Sequence, residues 1–99
     1  MENLTKEQRK FVREILKIPS MEVVNIVLNS VNLSVFERRI IKLTELDDLT
    51  EMQARDILSD EKGYEIDIRT LQRAKKDAFC KLYDVWSKNY LISKIMRVV

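Results

Sequence analysis

The chain is expected to be all-α, a single domain of five to six helices, on three observations. Its 99 residues include one glycine and one proline, too few for the tight turns a sheet needs every few residues. Apolar residues recur at spacings of three and four, most regularly over residues 67–83, where Ile68, Leu71, Ala74, Ala78, Phe79, Leu82 and Tyr83 form one stripe of a helix. Hydrophobic residues make up 45% and charged residues 34%, the balance of an ordinary soluble globular protein rather than a disordered or membrane one. A chain of this length can bury roughly 65% of the surface it exposes when unfolded.

The first helix is headed by Thr5 and carries Phe11, Val12, Ile15, Leu16 and Ile18 inward. Pro19 ends it, because the residue before a proline is pushed out of the helical region. Ser20 caps a second helix running from Met21 to about Ser30. That helix is apolar nearly all round (Val23, Val24, Ile26, Val27, Leu28), which predicts a central element covered on most sides. After the break at Asn32 and Leu33, Ser34 and Glu37 have the spacing of a capping box. The third helix turns Phe36, Ile40, Ile41 and Leu43 inward and fades at Asp47 and Asp48.

Thr50 caps a fourth helix bearing Met52, Ala54, Ile57 and Leu58. Residues 59–65 are the longest polar interval and hold the single glycine, so they are expected to form an extended turn. Asp67 caps the fifth helix, its carboxylate favoured by the orphan amides and the helix dipole. That helix either continues through Trp86 to the end or breaks near residues 87–89 into a sixth. The domain is thus read as a helical pair over 1–32, a unit over 33–83 and an apolar segment over 84–99.

Charge is segregated along the chain. Residues 1–42 carry eight basic and five acidic groups, residues 43–66 two and eight, and residues 67–99 eight and three. A basic last third beside an acidic middle suggests faces with different partners. In the fifth helix Arg69, Thr70, Gln72, Arg73 and Lys76 fall off the apolar stripe, with Lys75 on its flank. Arg and Gln pair with the edges of guanine and adenine, while Lys and Thr hold phosphates. A packed back and a basic, amide-bearing front suit a helix that reads the major groove. The alternative is a solvated face that keeps the domain soluble. Arg38 and Arg39, on the third helix, either touch the nucleic-acid backbone or pair with nearby carboxylates.

Catalysis has little support. The chain has no histidine, the commonest general base. Cys80, the lone cysteine, has no histidine to activate it and is read as a core residue. With a single glycine there is no phosphate-cradling loop. Asp47, Asp48 and Glu51 lack the alternating acidic spacing that hard cations need, so they are read as an acidic turn. No enzymatic activity, cofactor or metal is expected.

Residues 33–43, 49–58 and 66–78 together resemble the helix-turn-helix of sigma-factor region 4 and of related phage transcription regulators. In that pattern a small residue, here Ala54, lets the recognition helix cross closely behind the preceding one. The recognition helix opens on a cap, here Asp67, and packs through positions matching Leu71 and Ala74. The likeness covers roughly half the chain, and it departs from the pattern at residues 59–65, where the usual motif has only a tight turn. The resemblance implies a sequence-specific DNA-binding regulator, encoded by a phage and acting on double-stranded DNA in the cytoplasm of a bacterial host. The terminal segment (Trp86, Tyr90, Leu91, Ile92, Ile95, Met96, Val98, Val99) is too apolar for a free tail and must cover the domain's own core or another copy. With the first two helices it is then the expected homodimer interface, since one module buries little surface and reads few bases. The other reading is a small protein-interaction module, engaging host RNA polymerase, a nuclease or a packaging complex through the acidic surface at 45–65. Neither reading involves a membrane: no apolar run approaches the ~18 residues a span needs. An intracellular, reducing setting is expected from the lone cysteine and the lack of a signal-like amino terminus.

Overall fold

The computed structural model describes residues 3–89, 91, 92 and 94, and among these the chain is all-helical, with no strand. Five α-helices follow in order: α1 (Lys6–Leu16), α2 (Met21–Asn29), α3 (Val35–Ile41), α4 (Glu51–Lys62) and α5 (Ile68–Ser87). A π-helical turn, Lys42–Leu46, extends α3. No helix among the described residues is long and apolar enough to cross a membrane.

Local chemistry starts each helix where the caps fall. Thr5, Ser34 and Thr50 each accept a hydrogen bond from the amide three residues on, and the side-chain oxygens of Gln8, Glu37 and Gln53 accept one from the cap amide in return. These reciprocal pairs satisfy two orphan amides apiece. Ser20 caps α2 by accepting from the Val23 amide at 3.3 Å. Helix α1 stops at Leu16, so Ile18 lies beyond it and is half-buried rather than on its inner face.

The chain divides into two compact units, Met1–Asn32 with Phe79–Val99, and Leu33–Ala78. In the first, Val12, Ile15 and Leu16 of α1, Val24, Val27 and Leu28 of α2, and Phe79, Leu82 and Trp86 of α5 are buried. The Phe11 and Tyr83 rings meet edge to face at 5.8 Å, and the Arg13 guanidinium lies 5.3 Å from the centre of the Phe79 ring. Trp86 is fully buried and its indole Nε1 donates to the Val27 carbonyl at 3.0 Å, as a buried indole N–H must find an acceptor. The expectation that α2 is covered on most sides is wrong. Met21 is 57% and Ile26 68% exposed, because apolar composition does not determine how many neighbours a helix has.

In the second unit Ile40, Leu43, Ala54, Leu58, Ile66 and Leu71 form one buried cluster, with Phe36, Leu49 and Ala74 packed against it. The cluster draws on α3, its π turn, α4 and the start of α5. Arg39 of α3 is paired through one edge of its guanidinium with both carboxylate oxygens of Glu61 of α4, Nε donating to Oε1 at 3.3 Å and Nη2 to Oε2. In the π turn the Asp47 amide reaches the Lys42 carbonyl at 2.9 Å, and the buried Thr44 hydroxyl donates to the Ile40 carbonyl at 2.8 Å. Asp48 then takes a left-handed backbone, φ 56°, which Asp tolerates better than most residues.

The extended turn expected at 59–65 is shorter. Helix α4 continues through Ser59, Asp60, Glu61 and Lys62 and ends on Gly63, whose φ of 79° is the left-handed conformation glycine adopts freely. Residues 63–67 alone connect α4 to α5. Their fold is secured by the Ile66 amide, which donates to the Ser59 hydroxyl at 3.0 Å. On α4, Ala54 and Leu58 are buried, while Met52 and Ile57 are exposed.

Helix α5 ends at Ser87, and Leu91, Ile92 and Lys94 are again helical beyond a break at Lys88 and Asn89. The Asn89 side chain accepts from the Ile92 amide at 3.2 Å, in the manner of a cap. Ile92 is buried and Leu91 exposed; Tyr90, Ile95, Met96, Val98 and Val99 lie outside the described residues.

Candidate nucleic-acid interface

The start of α5 is built by Asp67. Its Oδ1 accepts from the Arg69 amide at 2.7 Å, and its carbonyl accepts from the Thr70 and Leu71 amides at 3.0 and 3.2 Å. Leu71 and Ala78 are fully buried and Ala74 is half-buried. With the inner side of the helix held in this way, Arg69, Gln72, Arg73 and Lys76 stand at i, i+3, i+4 and i+7 on the opposite side. All four are exposed, as is the neighbouring Thr70. Among the described residues no carboxylate pairs with Arg69, Arg73 or Lys76. Three cations and an amide therefore share one open ridge.

The remaining candidates stand apart from that ridge. Lys75 is half-buried on its flank and has an interaction of its own within the chain. Arg38 and Arg39 both belong to α3. Arg38 is half-buried and also engaged, and the Arg39 guanidinium is committed to Glu61.

Three residues that the sequence does not single out flank the start of α5. Arg55 of α4 meets Asp56 at 2.9 Å and Glu65 at 3.9 Å, its Nε buried without a hydrogen-bond partner. Lys62 and Tyr64, at the end of α4 and in the connection, are both exposed. The sequence places Lys62 and Tyr64 in a polar interval with no apolar period, so only the glycine that follows Lys62 hints at a helix end there.

The charge of this unit is not basic overall: residues 33–78 carry nine basic and eleven acidic side chains. Exposed cations gather on the α5 ridge, whereas α4 turns Asp56 and Asp60 to solvent. Comparison with known protein families, curated proteins and solved structures finds no match to this chain.

Proposed function

We propose that the chain is a sequence-specific double-stranded DNA-binding regulator of transcription, of the phage kind its sequence resembles, with α5 as the recognition helix. The observation that carries this reading is the exposed ridge of Arg69, Gln72, Arg73 and Lys76 on a helix whose opposite side is packed. A helix about 10–12 Å across with its side chains fits a major groove about 12 Å wide. Arg69 and Arg73 suit bidentate pairing with guanine, Gln72 suits adenine, and Lys76 and Thr70 suit phosphates. The acidic outer face of α4 repels the DNA backbone, so approach through the α5 ridge is favoured over other orientations.

Selection of bound duplexes from a random pool tests the proposal. Enrichment of one sequence is expected, and replacing Arg73 with Ala should cost ~1–3 kcal/mol of affinity for it, with relaxed preference at one position. Recovery of an unenriched pool would refute sequence-specific binding. A homodimer accords with the exposed Met21, Ile26 and Leu91, and would hold two recognition helices about 34 Å apart for successive grooves. A palindromic enriched sequence and a dimeric mass by light scattering are the expected signs.

A second reading has its own support. Met52 is 50% and Ile57 37% exposed on α4, among the exposed Asp56 and Asp60. That mixture suits a basic protein partner with apolar anchors, RNA polymerase among the candidates. Passage through heparin without retention at low salt would favour this reading, since a DNA-binding ridge should be held and released by salt.

A further inference from the structure

An open depression of about 500 Å³ adjoins the start of α5 in the Leu33–Ala78 unit, lined by Phe36, Lys62, Tyr64, Glu65, Asp67 and Thr70. Lys62 Nζ stands 6.0 Å from the centre of the Phe36 ring, and no carboxylate among the described residues pairs with it. Tyr64 is 65% exposed and offers a phenolic hydroxyl, and the exposed Thr70 offers a second hydroxyl. Two carboxylates line it as well, each with one contact of its own. Asp67 Oδ1 accepts from the Arg69 amide at 2.7 Å, and Glu65 Oε1 lies 3.9 Å from Arg55 Nη1. The groups that can donate to a ligand are one ammonium and two hydroxyls beside an aromatic ring, with the Glu65 and Asp67 carboxylates at the edge of the same hollow.

That donor set matches the unbridged oxygens of a phosphodiester, which proteins grip with Lys, Tyr and Thr side chains. Its position matches as well. Thr70 follows Arg69 and lies beside the base-facing ridge, and a helix seated in the major groove turns its flanks towards the phosphate walls. We propose that Lys62, Tyr64 and Thr70 form a seat for one phosphate of the DNA backbone, which sets the register of α5 in the groove. The seat rests on the DNA-binding reading above. The ammonium supplies the charge, and each hydroxyl donates a hydrogen bond to a phosphate oxygen.

The test is fluorescence anisotropy across a salt series, with an enriched duplex and an unrelated duplex of equal length. Lys62→Ala should lower the slope of log affinity against log salt by about one, the release of one phosphate's counterion. It should weaken both duplexes by the same factor, roughly tenfold at low salt. Lys62→Arg should keep the slope, and Tyr64→Phe and Thr70→Val should each weaken binding about threefold with the slope unchanged. A Lys62→Ala slope equal to that of the parent, or a loss confined to the enriched duplex, overturns the seat while leaving DNA binding in place. A parent protein that binds no duplex removes both.

Discussion

Replacing Ala54 with Leu should destabilise the protein although it adds apolar surface. Ala54 is fully buried in the cluster with Ile40, Leu43, Leu58, Ile66 and Leu71, so a branched four-carbon side chain would meet packed neighbours on α3 and α5. Forcing such volume into a filled core costs about 1–3 kcal/mol. For a domain near this size each kcal/mol lowers the melting temperature by about 4–8 °C, so a fall of about 4–24 °C is expected. Ala54→Gly should also destabilise, by about 2 kcal/mol, from the lost buried methyl and the lower helix propensity of glycine. Loss in both directions is the signature of a site sized for a methyl group. Asp60→Ala, at an exposed position of the same helix, should stay within about 0.5 kcal/mol of the parent. Thermal melts followed by far-UV circular dichroism, with urea titrations for the free energies, read all three. An Ala54→Leu protein melting with the parent would refute the close packing of α5 behind α4.

Other perturbations separate local from tertiary effects. Gly63→Ala should cost about 1 kcal/mol from backbone strain alone, since φ is 79° and an added Cβ would have no atom within 4 Å. Gly63→Asn should recover part of that loss, and a Gly63→Ala protein melting with the parent would contradict the left-handed cap. Arg39→Ala and Glu61→Ala, measured singly and together, should show a coupling of about 0.5–1 kcal/mol for a partly exposed bidentate pair, and strictly additive losses would show that the pair contributes nothing. The Lys88 amine is held above its ordinary value of 10.5, first by its hydrogen bond to Asp84 and then by that carboxylate's charge. A raised lysine stabilises the folded state below the unfolded pKa and loses that effect as pH rises through the folded one. The contribution is therefore present at neutral pH and vanishes above about 10.5, and Asp84→Asn should flatten that part of the alkaline stability profile.

Much of the fold is legible in the chain because its helix starts are decided by neighbours in sequence. Thr5, Ser20, Ser34, Thr50 and Asp67 each satisfy amides two or three residues away, so the identity of the residue suffices. The apolar period over residues 67–83 likewise determines which side of α5 is packed, and hence that Arg69, Gln72, Arg73 and Lys76 face outward. The period failed where it had nothing to record: residues 59–62 are polar, yet α4 continues through them to its left-handed cap at Gly63. It also overstated α2, since a run of valines does not specify what covers it.

Tertiary structure alone decided which charges are committed. Arg39 and Glu61 are 22 positions apart, and nothing near either residue announces the pair that holds the Arg39 guanidinium at α4. The same holds for the depression that gathers Phe36, Lys62, Tyr64 and Thr70 beside the α5 ridge. Caps and periods depend on contacts within a turn or two of chain, whereas a paired charge or a surface hollow depends on where distant helices are brought by the core they share.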